Sequence, residues 1–381
     1  MSTAQSLFRT TFGRPPDVAA RAPGRVEFIG NHTDYNRGLV LGAAVDRYIT
    51  VALAARPGDR IRAVSDGHGD PVEFLPGEIP KGTWAAYPAG VVAVLAERTR
   101  IPGCDLVFHS DLPVGAGLSS SAAIETATAA AIDRWLGIGL APADLARTAR
   151  RAENEHVGVP CGILDQAVVT FGRLDHLVRV DATAERFDPI PIPGATRLWI
   201  FDSGVRHRLT DGHYAERHRE CREAFDVLHP LQPDASGLAL IEPDLVEASR
   251  ALLPGPLYHR ARHITREHRR VEAVVGHLAH GRLREAGAAL FESHRSSRDD
   301  FANSIAELDL LVDRLSQEPA VLGARLTGGG FGGAVLAWTD PSFGVREADA
   351  VCRVFQSRFG RRPLVLSCRA SNGVRVEPVE A

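Results

Sequence analysis

Residues 112–123 read Leu112-Pro-Val-Gly-Ala-Gly-Leu-Ser-Ser-Ser-Ala-Ala123 and lead into an alanine-rich stretch that is typical of a helix. Small residues let a backbone close around phosphate oxygens, and the N–H groups at the start of the following helix point towards a bound anion. The serine hydroxyls can reach both phosphate and metal. The stretch therefore predicts a phosphate-binding loop. The alternative is an ordinary strand–turn–helix connection in which a serine caps the helix.

A second polar stretch, Ala22-Pro-Gly-Arg-Val-Glu-Phe-Ile-Gly-Asn-His-Thr-Asp-Tyr-Asn-Arg-Gly38, lies between two apolar runs. Asn31, His32 and Asp34 offer donors and acceptors close together in the chain. A polyhydroxylated ligand needs several hydrogen bonds of fixed geometry, and this set suits it. An ordinary polar loop with an Asn/Asp turn explains this segment equally well when it is taken by itself.

Residues 151–166 carry two carboxylates in unusual positions. Glu153 comes late on a predicted helix, where the dipole mildly disfavours a carboxylate, and a metal partner would remove that disadvantage. Asp165 stands among apolar residues, which indicates burial, and a buried carboxylate needs a cation such as arginine. The alternatives are a solvated helix face for Glu153 and a helix N-cap for Asp165.

Residues 326–333 read Leu326-Thr-Gly-Gly-Gly-Phe-Gly-Gly333. Glycine permits positive φ and lets the backbone approach a ligand or another loop closely. A flexible linker is the alternative, but Phe331 and the apolar strand that follows argue against it. We therefore expect this segment to border a binding site.

The composition limits the classes of function. The chain has 381 residues and a formal net charge of −3, which predicts no binding to nucleic acid or to anionic membranes. Lys81 is the only lysine, which excludes a phosphate loop of the Gly-x-x-x-x-Gly-Lys kind. Five cysteines without a Cys-x-x-Cys pair favour free thiols in a reducing compartment. With neither an apolar signal segment nor a membrane-length apolar run, we expect a cytoplasmic protein.

Apolar periodicity predicts a mixed set of elements. Strands are expected at 26–30, 49–54, 61–65, 105–109, 198–201 and 363–368, and helices at 84–99, 119–136, 143–157, 211–228, 258–280 and 283–316. A hairpin is expected near 173–180, and a boundary rich in proline and glycine at 186–196. Because strands and helices mix without a strict βαβα rhythm, the class is α+β, with domains at 1–190 and 191–381.

Together, in this order, the four segments resemble the galactokinase branch of the GHMP small-molecule kinases. The resemblance runs from Ala22 to Gly333, most of the chain. It implies an N-terminal domain like ribosomal protein S5 domain 2, which binds ATP and the sugar. It further implies a ferredoxin-like C-terminal domain that completes the active-site cleft. The implied reaction transfers a phosphate from ATP, with Mg²⁺, to the anomeric C1 hydroxyl of galactose.

The resemblance also implies roles for individual residues. Asp165 matches the catalytic carboxylate and Arg25 the arginine beside it, while Ser121 and Glu153 would hold Mg²⁺. Ser65 would lie near the nucleotide, with Trp84 a looser candidate for the adenine pocket. The phosphates would be wrapped by Gly115, Ala116, Gly117, Leu118, Ser119, Ser120 and Ser121. The sugar would be bound by Asn31, His32, Thr33, Asp34, Gly162 through its backbone, and Tyr214.

One position departs from the family pattern. Galactokinases usually have Glu where this chain has Asn31, and that Glu accepts a hydrogen bond from a hydroxyl near C6 of the sugar. Glu27 stands where Asn is common, which indicates that a carboxylate has moved along the loop. The departure opens other acceptors: galacturonate, arabinose or N-acetylgalactosamine. A catalytically silent sugar and ATP sensor is a further alternative, although such relatives have lost part of the Ser-Ser-Ser-Ala stretch, which is whole here.

Overall fold

The structure, a computed structural model, describes residues 3–67, 69–113, 117–159, 161–206 and 212–379. Its strands are β1 (Val18–Ile29), β2 (Leu39–Ala55), β3 (Ile61–Ser65), β4 (Val72–Phe74), β5 (Cys104–Ser110), β6 (His176–Asp181), β7 (Arg186–Pro191), β8 (Arg197–Asp202), β9 (Val321–Thr327), β10 (Ala334–Thr339), β11 (Leu364–Cys368) and β12 (Arg375–Glu377). Its α-helices are α1 (Thr3–Phe12), α2 (Ala86–Ala96), α3 (Ser120–Leu136), α4 (Pro142–Arg151), α5 (Leu164–Phe171), α6 (His213–Leu228), α7 (Pro243–Ala248), α8 (Leu257–Ala279), α9 (Leu283–Ser296), α10 (Ala306–Leu315) and α11 (Val345–Phe359).

The first sheet has the order β12-β1-β2-β5-β3-β4, with β6 added to β2 and β7 to β6. Its pairs are antiparallel except β3 with β5. Helix α3 packs against β1 and β2 through small buried residues such as Ala123, Ala127 and Ala131. Alanine brings the helix axis close to the sheet, so the N-terminus of α3 lies directly over β1, where the predicted phosphate loop and the polar loop come together.

The second sheet is antiparallel with the order β11-β8-β10-β9. Numbered within this half, the order is 4-1-3-2, the arrangement expected of a ferredoxin-like domain, so the α+β class and the two-domain architecture are confirmed. Helices α9 and α10 pack on β9, and Trp338 on β10 is fully buried between this sheet and Phe28 of β1. The glycine stretch 328–333 is the connection from β9 to β10, at the edge that faces the first sheet.

Several predicted elements are wrong in detail. The hairpin is formed by β6 and β7 and does not lie over 173–180. The segment predicted as a domain boundary contains strand β7, which the sequence analysis missed because proline is unusual in strands. The predicted helix 283–316 is broken after α9 by a π-helical turn, Ser297–Phe301, and α10 begins only at Ala306. Strand β12 returns to pair with β1, so the last residues belong to the first sheet although the predicted boundary assigned them to the second domain.

A close contact between α9 and β9 leads to a stability prediction. A Cβ at Gly287 would lie 1.9 Å from the carbonyl oxygen of Leu322, so Gly287→Ala must push the helix off the strand. We expect the variant to lose roughly 1–3 kcal/mol of unfolding free energy, as overpacked cores do. Urea unfolding monitored by circular dichroism measures this loss.

The matched control is Gly276→Ala on α8, where a Cβ would meet nothing within 4 Å. There, alanine improves helix propensity, and stability is expected to rise by up to about 1 kcal/mol. Equal effects at the two positions would contradict the packing argument.

Candidate active site

A cavity of about 540 Å³ lies between the two sheets. Its wall combines the end of β1 and the loop after it, the start of α3, the segment 153–165, the start of α6 and the glycine connection 328–333. These segments are far apart in the chain. Four of them had been singled out by their sequence, and the start of α6 carries Tyr214, which the resemblance implied. The volume suits a small-molecule ligand.

Arg25 and Asp165 form a bidentate ion pair in this wall. Arg25 Nε donates to Asp165 Oδ1 and Arg25 Nη2 donates to Asp165 Oδ2, both at 2.6 Å. Arg25 is 6% exposed, so the pair is largely removed from water and its geometry is rigid. Ser119 Oγ donates to Asp165 Oδ2 at 2.5 Å, whereas Oδ1 accepts only from Arg25 among the described residues and keeps an acceptor site for a ligand.

The described part of the phosphate loop lies against β1. Gly117, Leu118, Ser119, Ser120 and Ser121 all line the cavity, while the predicted phosphate-binding Gly115 and Ala116 lie outside the described residues. Arg25 holds the loop in two ways: Nη1 donates to Gly117 O at 2.8 Å and its backbone N–H donates to Leu118 O at 3.0 Å. Since α3 begins at Ser120, its first N–H groups are directed at the cavity.

Glu153 and Ser121 present side-chain oxygen atoms that could ligate a metal, and both residues line the cavity. Glu153 lies in a π-helical turn, Ala152–Val157, and its Oε2 accepts from Gln166 Nε2 at 2.8 Å. Burial, and then the charge of Asp165, raise the pKa of Glu153 to about 7, against hydrogen bonds from Ser121 and Cys161. A divalent cation would relieve this excess of buried negative charge, and Mg²⁺ prefers such oxygens, so the two residues fit the metal predicted for them.

His32, Asp34, Gly162 and Tyr214 also line the cavity, and we call this part of the wall the sugar end after the ligand predicted for it. The Nε2 of His32 lies 3.1 Å from Gly329 O, and its Nδ1 lies 3.0 Å from the hydroxyl of Tyr35. Burial lowers the pKa of His32 to about 3, so the ring is neutral, with Nε2–H donating to the carbonyl.

The backbone of Gly162 lies directly against Asp34. A Cβ at position 162 would lie 1.7 Å from Asp34 Oδ2, so a side chain cannot be accommodated there without moving the carboxylate. Burial raises the pKa of Asp34 to about 6, and the nearby charges of Glu27 and Asp165 add to the rise. This end of the cavity is therefore rich in acceptors.

Three residues predicted to contact a ligand do not line the cavity. Thr33 is fully buried, and its hydroxyl lies 2.7 Å from Gly30 O and 2.6 Å from Leu39 O, so it closes the loop and does not reach a ligand. Ser65, at the end of β3, donates to Asp66 O at 3.4 Å and does not line the cavity. Trp84 also lies outside the wall, against Phe108, whereas Tyr87, which the sequence analysis did not single out, is part of it.

A buried polar network, largely missed by sequence reasoning, joins the two domains behind the sugar end. Arg325 is fully buried, and its Nη1 donates to Glu27 Oε1 at 2.8 Å. Asn31 Nδ2 donates to the same oxygen at 3.0 Å, and Asn303 Nδ2 donates to Asn31 Oδ1 at 2.8 Å. A charged residue among the apolar residues directly before the glycine stretch was the signal that could have revealed Arg325.

Glu267 on α8 holds the loop after β1 from the other side. Its Oε1 accepts from the backbone N–H groups of Gly30 and Asn31, both at 3.1 Å, and from Ser293 Oγ at 2.5 Å. Burial opposes ionisation, but Arg270 and other nearby charges outweigh it and lower the pKa of Glu267 to about 2. The loop after β1 therefore rests on a carboxylate that is ionised at neutral pH.

Comparison with known families agrees with this geometry. The galactokinase galactose-binding signature matches residues 6–55, the GHMP kinases N terminal domain matches 86–173 and the GHMP kinases C terminal domain matches 274–357. The galactokinase of Chloroflexus aggregans is 39% identical over 98% of this chain and 97% of its own length. The chain belongs to the galactokinase family.

Further relatives extend the match. The galactokinase of Thermotoga maritima is 36% identical over 94% of this chain and 99% of its own. The crystal structure of Lactococcus lactis galactokinase complexed with galactose superposes with a TM-score of 0.92 at 28% identity, covering 97% of this chain and 98% of that one. A crystal structure of mevalonate kinase, at 16% identity and a TM-score of 0.65, shares the fold over 93% of this chain and 99% of its own. The chain is thus a sugar kinase of the GHMP fold.

Two features outside the cavity bear on function. Among the described residues, no helix is both long and apolar enough to cross a membrane. Three possible metal-ligating atoms lie together on the surface, in Glu97, Glu155 and His156. Arg151 donates hydrogen bonds of 2.8–3.0 Å to both carboxylates and compensates their negative charge. The cavity therefore remains the site with the clearest chemistry.

The charge of Glu267 gives a pH-dependent prediction. The pKa of Glu267 in the folded state lies below the value of about 4.3 expected in the unfolded chain. The ionised carboxylate therefore contributes its full stabilisation above about pH 4.3, and this contribution is lost as the pH falls towards the folded-state pKa. We expect Glu267→Gln to cost roughly 2–3 kcal/mol at pH 7, and the difference from wild type to shrink between pH 5 and pH 3. Urea unfolding at a series of pH values measures this.

Glu272→Gln on the same helix is the control, because Glu272 is 44% exposed and pairs with Arg269 at the surface. Its effect on stability should stay within about 0.5 kcal/mol at every pH. A pH-independent loss in the Glu267 variant would refute the role of its charge.

Proposed function

We propose that this protein transfers the γ-phosphate of ATP to the C1 hydroxyl of galactose and releases ADP and galactose 1-phosphate. The observation that carries the proposal is the buried, bidentate Arg25–Asp165 pair, which faces the same cavity as the serine loop at the start of α3. Kinship with galactokinases, one of them solved with galactose, supports the choice of sugar.

In the proposed mechanism, the chain contributes positioning and charge stabilisation. Asp165 Oδ1, with its remaining acceptor site, takes a hydrogen bond and then the proton from the C1 hydroxyl. Arg25 holds the carboxylate in place and stabilises the charge that develops on the sugar oxygen and the γ-phosphate. Ser119 fixes the second carboxylate oxygen, so Asp165 cannot rotate away from the acceptor.

Ser121 and Glu153 would hold Mg²⁺ in this proposal. The metal would supply positive charge that neutralises part of the negative charge of the phosphates. The backbone N–H groups at the start of α3 bind the phosphates alongside it, and the helix dipole favours their negative charge. The positions of Ser119, Ser121, Glu153 and Asp165 on one cavity argue against a catalytically silent sensor.

The direct test is turnover across a sugar panel. We expect ADP release with galactose, ATP and Mg²⁺, and a phosphorus NMR signal of a sugar 1-phosphate, detected by its coupling to the anomeric proton. Arabinose, N-acetylgalactosamine and galacturonate are the competing acceptors. A product phosphorylated elsewhere than at C1, or turnover with none of the sugars, would disprove the proposed reaction.

The role of Asp165 is tested by Asp165→Asn, which keeps the shape of the side chain and removes its charge. We expect kcat to fall by roughly 10²- to 10⁴-fold, the range for loss of a general base, while ATP binding measured by calorimetry stays near the wild-type value. Asp188→Asn is the matched control, since Asp188 accepts from Arg179 at 2.7 Å outside the cavity. Near-native turnover of the Asp165 variant would remove it from the mechanism.

A further inference from the structure

The amide of Asn31 has no hydrogen-bonding capacity left for a ligand. Its two N–H groups donate to Glu27 Oε1 at 3.0 Å and Gly328 O at 2.9 Å. Its oxygen accepts from Asn303 Nδ2 at 2.8 Å and Ser297 Oγ at 3.4 Å. An amide has two donors and one oxygen with two lone pairs, so all four places are taken. Rotating the amide would set its oxygen against two acceptors, and this fixes its orientation.

Glu27 has the opposite balance. Its Oε1 accepts from Asn31 Nδ2 and from Arg325 Nη1, while no donor of the described residues reaches Oε2. Glu27 is 4% exposed yet lines the cavity, so Oε2 is an acceptor oriented for something inside it. A carboxylate oxygen at a cavity wall is a strong acceptor, and a ligand hydroxyl would donate to it.

Strand geometry places Glu27 about the width of a sugar ring away from the Arg25–Asp165 pair. Arg25 and Glu27 pair with Ala44 and Gly42 of β2 without a bulge between them, so both side chains leave the same face of β1. Two residues of a strand span roughly 6–7 Å. A sugar whose C1 hydroxyl meets the Arg25–Asp165 pair therefore presents the hydroxyls of its far side to Glu27.

The charges around that end disfavour an anionic sugar. Glu27 and Asp34 both line it, and Arg325, which compensates Glu27, is fully buried behind the wall and also donates to Ser293 Oγ. The arginines that line the described cavity are both paired: Arg25 with Asp165, and Arg206 with Asp202 at 2.6 Å. A carboxylate on the ligand would meet like charges, and the described wall offers it no unpaired arginine.

We propose that Glu27, and not Asn31, is the carboxylate that accepts a hydrogen bond from the sugar away from C1, and that with Asp34 it excludes uronic acids. The inference rests on the proposed function and narrows its substrate class to neutral sugars. Residues 27 and 31 are four positions apart in the chain, and Glu27 Oε1 accepts a hydrogen bond of 3.0 Å from Asn31 Nδ2. Asn31 then acts as a positioning residue that orients Glu27.

The test is Glu27→Gln with singly deoxygenated galactoses. The variant keeps the shape of the side chain but replaces the free acceptor by an N–H₂ donor. In the wild type we expect one sugar among 3-, 4- and 6-deoxygalactose to lose roughly 10- to 100-fold in kcat/KM relative to galactose, as loss of a hydrogen bond to a charged group predicts. In the variant that preference should disappear, with the KM for ATP unchanged.

If the wild type and the variant show the same ratio for every deoxy sugar, Glu27 does not bind the sugar and the inference fails. Glu272→Gln, the same change at the surface, should leave all ratios at their wild-type values. The unfolding midpoint of the Glu27 variant identifies any general loss of structure, which would lower turnover of all sugars together and leave their ratios as in the wild type.

A second arm needs no variant. We expect the wild type to turn over galacturonate at less than about one hundredth of its kcat/KM for galactose, as a like-charge clash of several kcal/mol requires. Galacturonate turned over as well as galactose would overturn the inference and leave the kinase activity intact. No ADP release with any sugar would instead overturn the proposed function, and this inference with it.

Discussion

Arg25 is the point at which the site is assembled. Its guanidinium forms a bidentate pair with Asp165, and its third nitrogen donates to the carbonyl of Gly117. One buried cation therefore joins β1, the phosphate loop and α5. A buried charge is tolerable only when it is paired and hydrogen-bonded, so each of these segments is constrained to meet it. The reacting carboxylate and the phosphate loop are thus oriented by the same group.

A second set of buried charges joins the domains. Arg325 on β9 of the second sheet forms an ion pair with Glu27 on β1 of the first sheet. Glu267 on α8 accepts hydrogen bonds from two backbone N–H groups in the loop after β1. Because such groups lose their partners if the domains separate, the network favours one relative placement of the two sheets. Glu27 and Asn31 of this network also line the cavity, so the shape of the cavity and the docking of the two domains depend on shared residues.

Much of this arrangement was predictable because the roles of several residues follow from their immediate sequence neighbours. The glycines and serines before α3 signal an anion-binding helix start, and Asp165 amid apolar residues signals a buried carboxylate that needs arginine. The predictions were weaker where tertiary contacts decide. Thr33 sits in the recognition loop, yet its hydroxyl turns inwards to Leu39 O, and strand β7 was concealed by prolines. Asn31 attracted attention by its position, but Ser297, Asn303 and Gly328, which are distant in the chain, together with Glu27 take up all the hydrogen-bonding capacity of its amide.

The sequence by itself determined the family, the α+β class, the phosphate loop and the candidate pair Arg25–Asp165, because these follow from residue types and spacings within short segments. Only the tertiary structure decided which side chains remain free to bind. The hydrogen-bonding capacity that a group has left depends on all of its surroundings. Gly328 and Asn303 of the other domain take up the amide of Asn31. Arg325 of the same domain binds only one carboxylate oxygen of Glu27, and the other oxygen stays available. A local pattern cannot reveal how distant partners use up donors and acceptors.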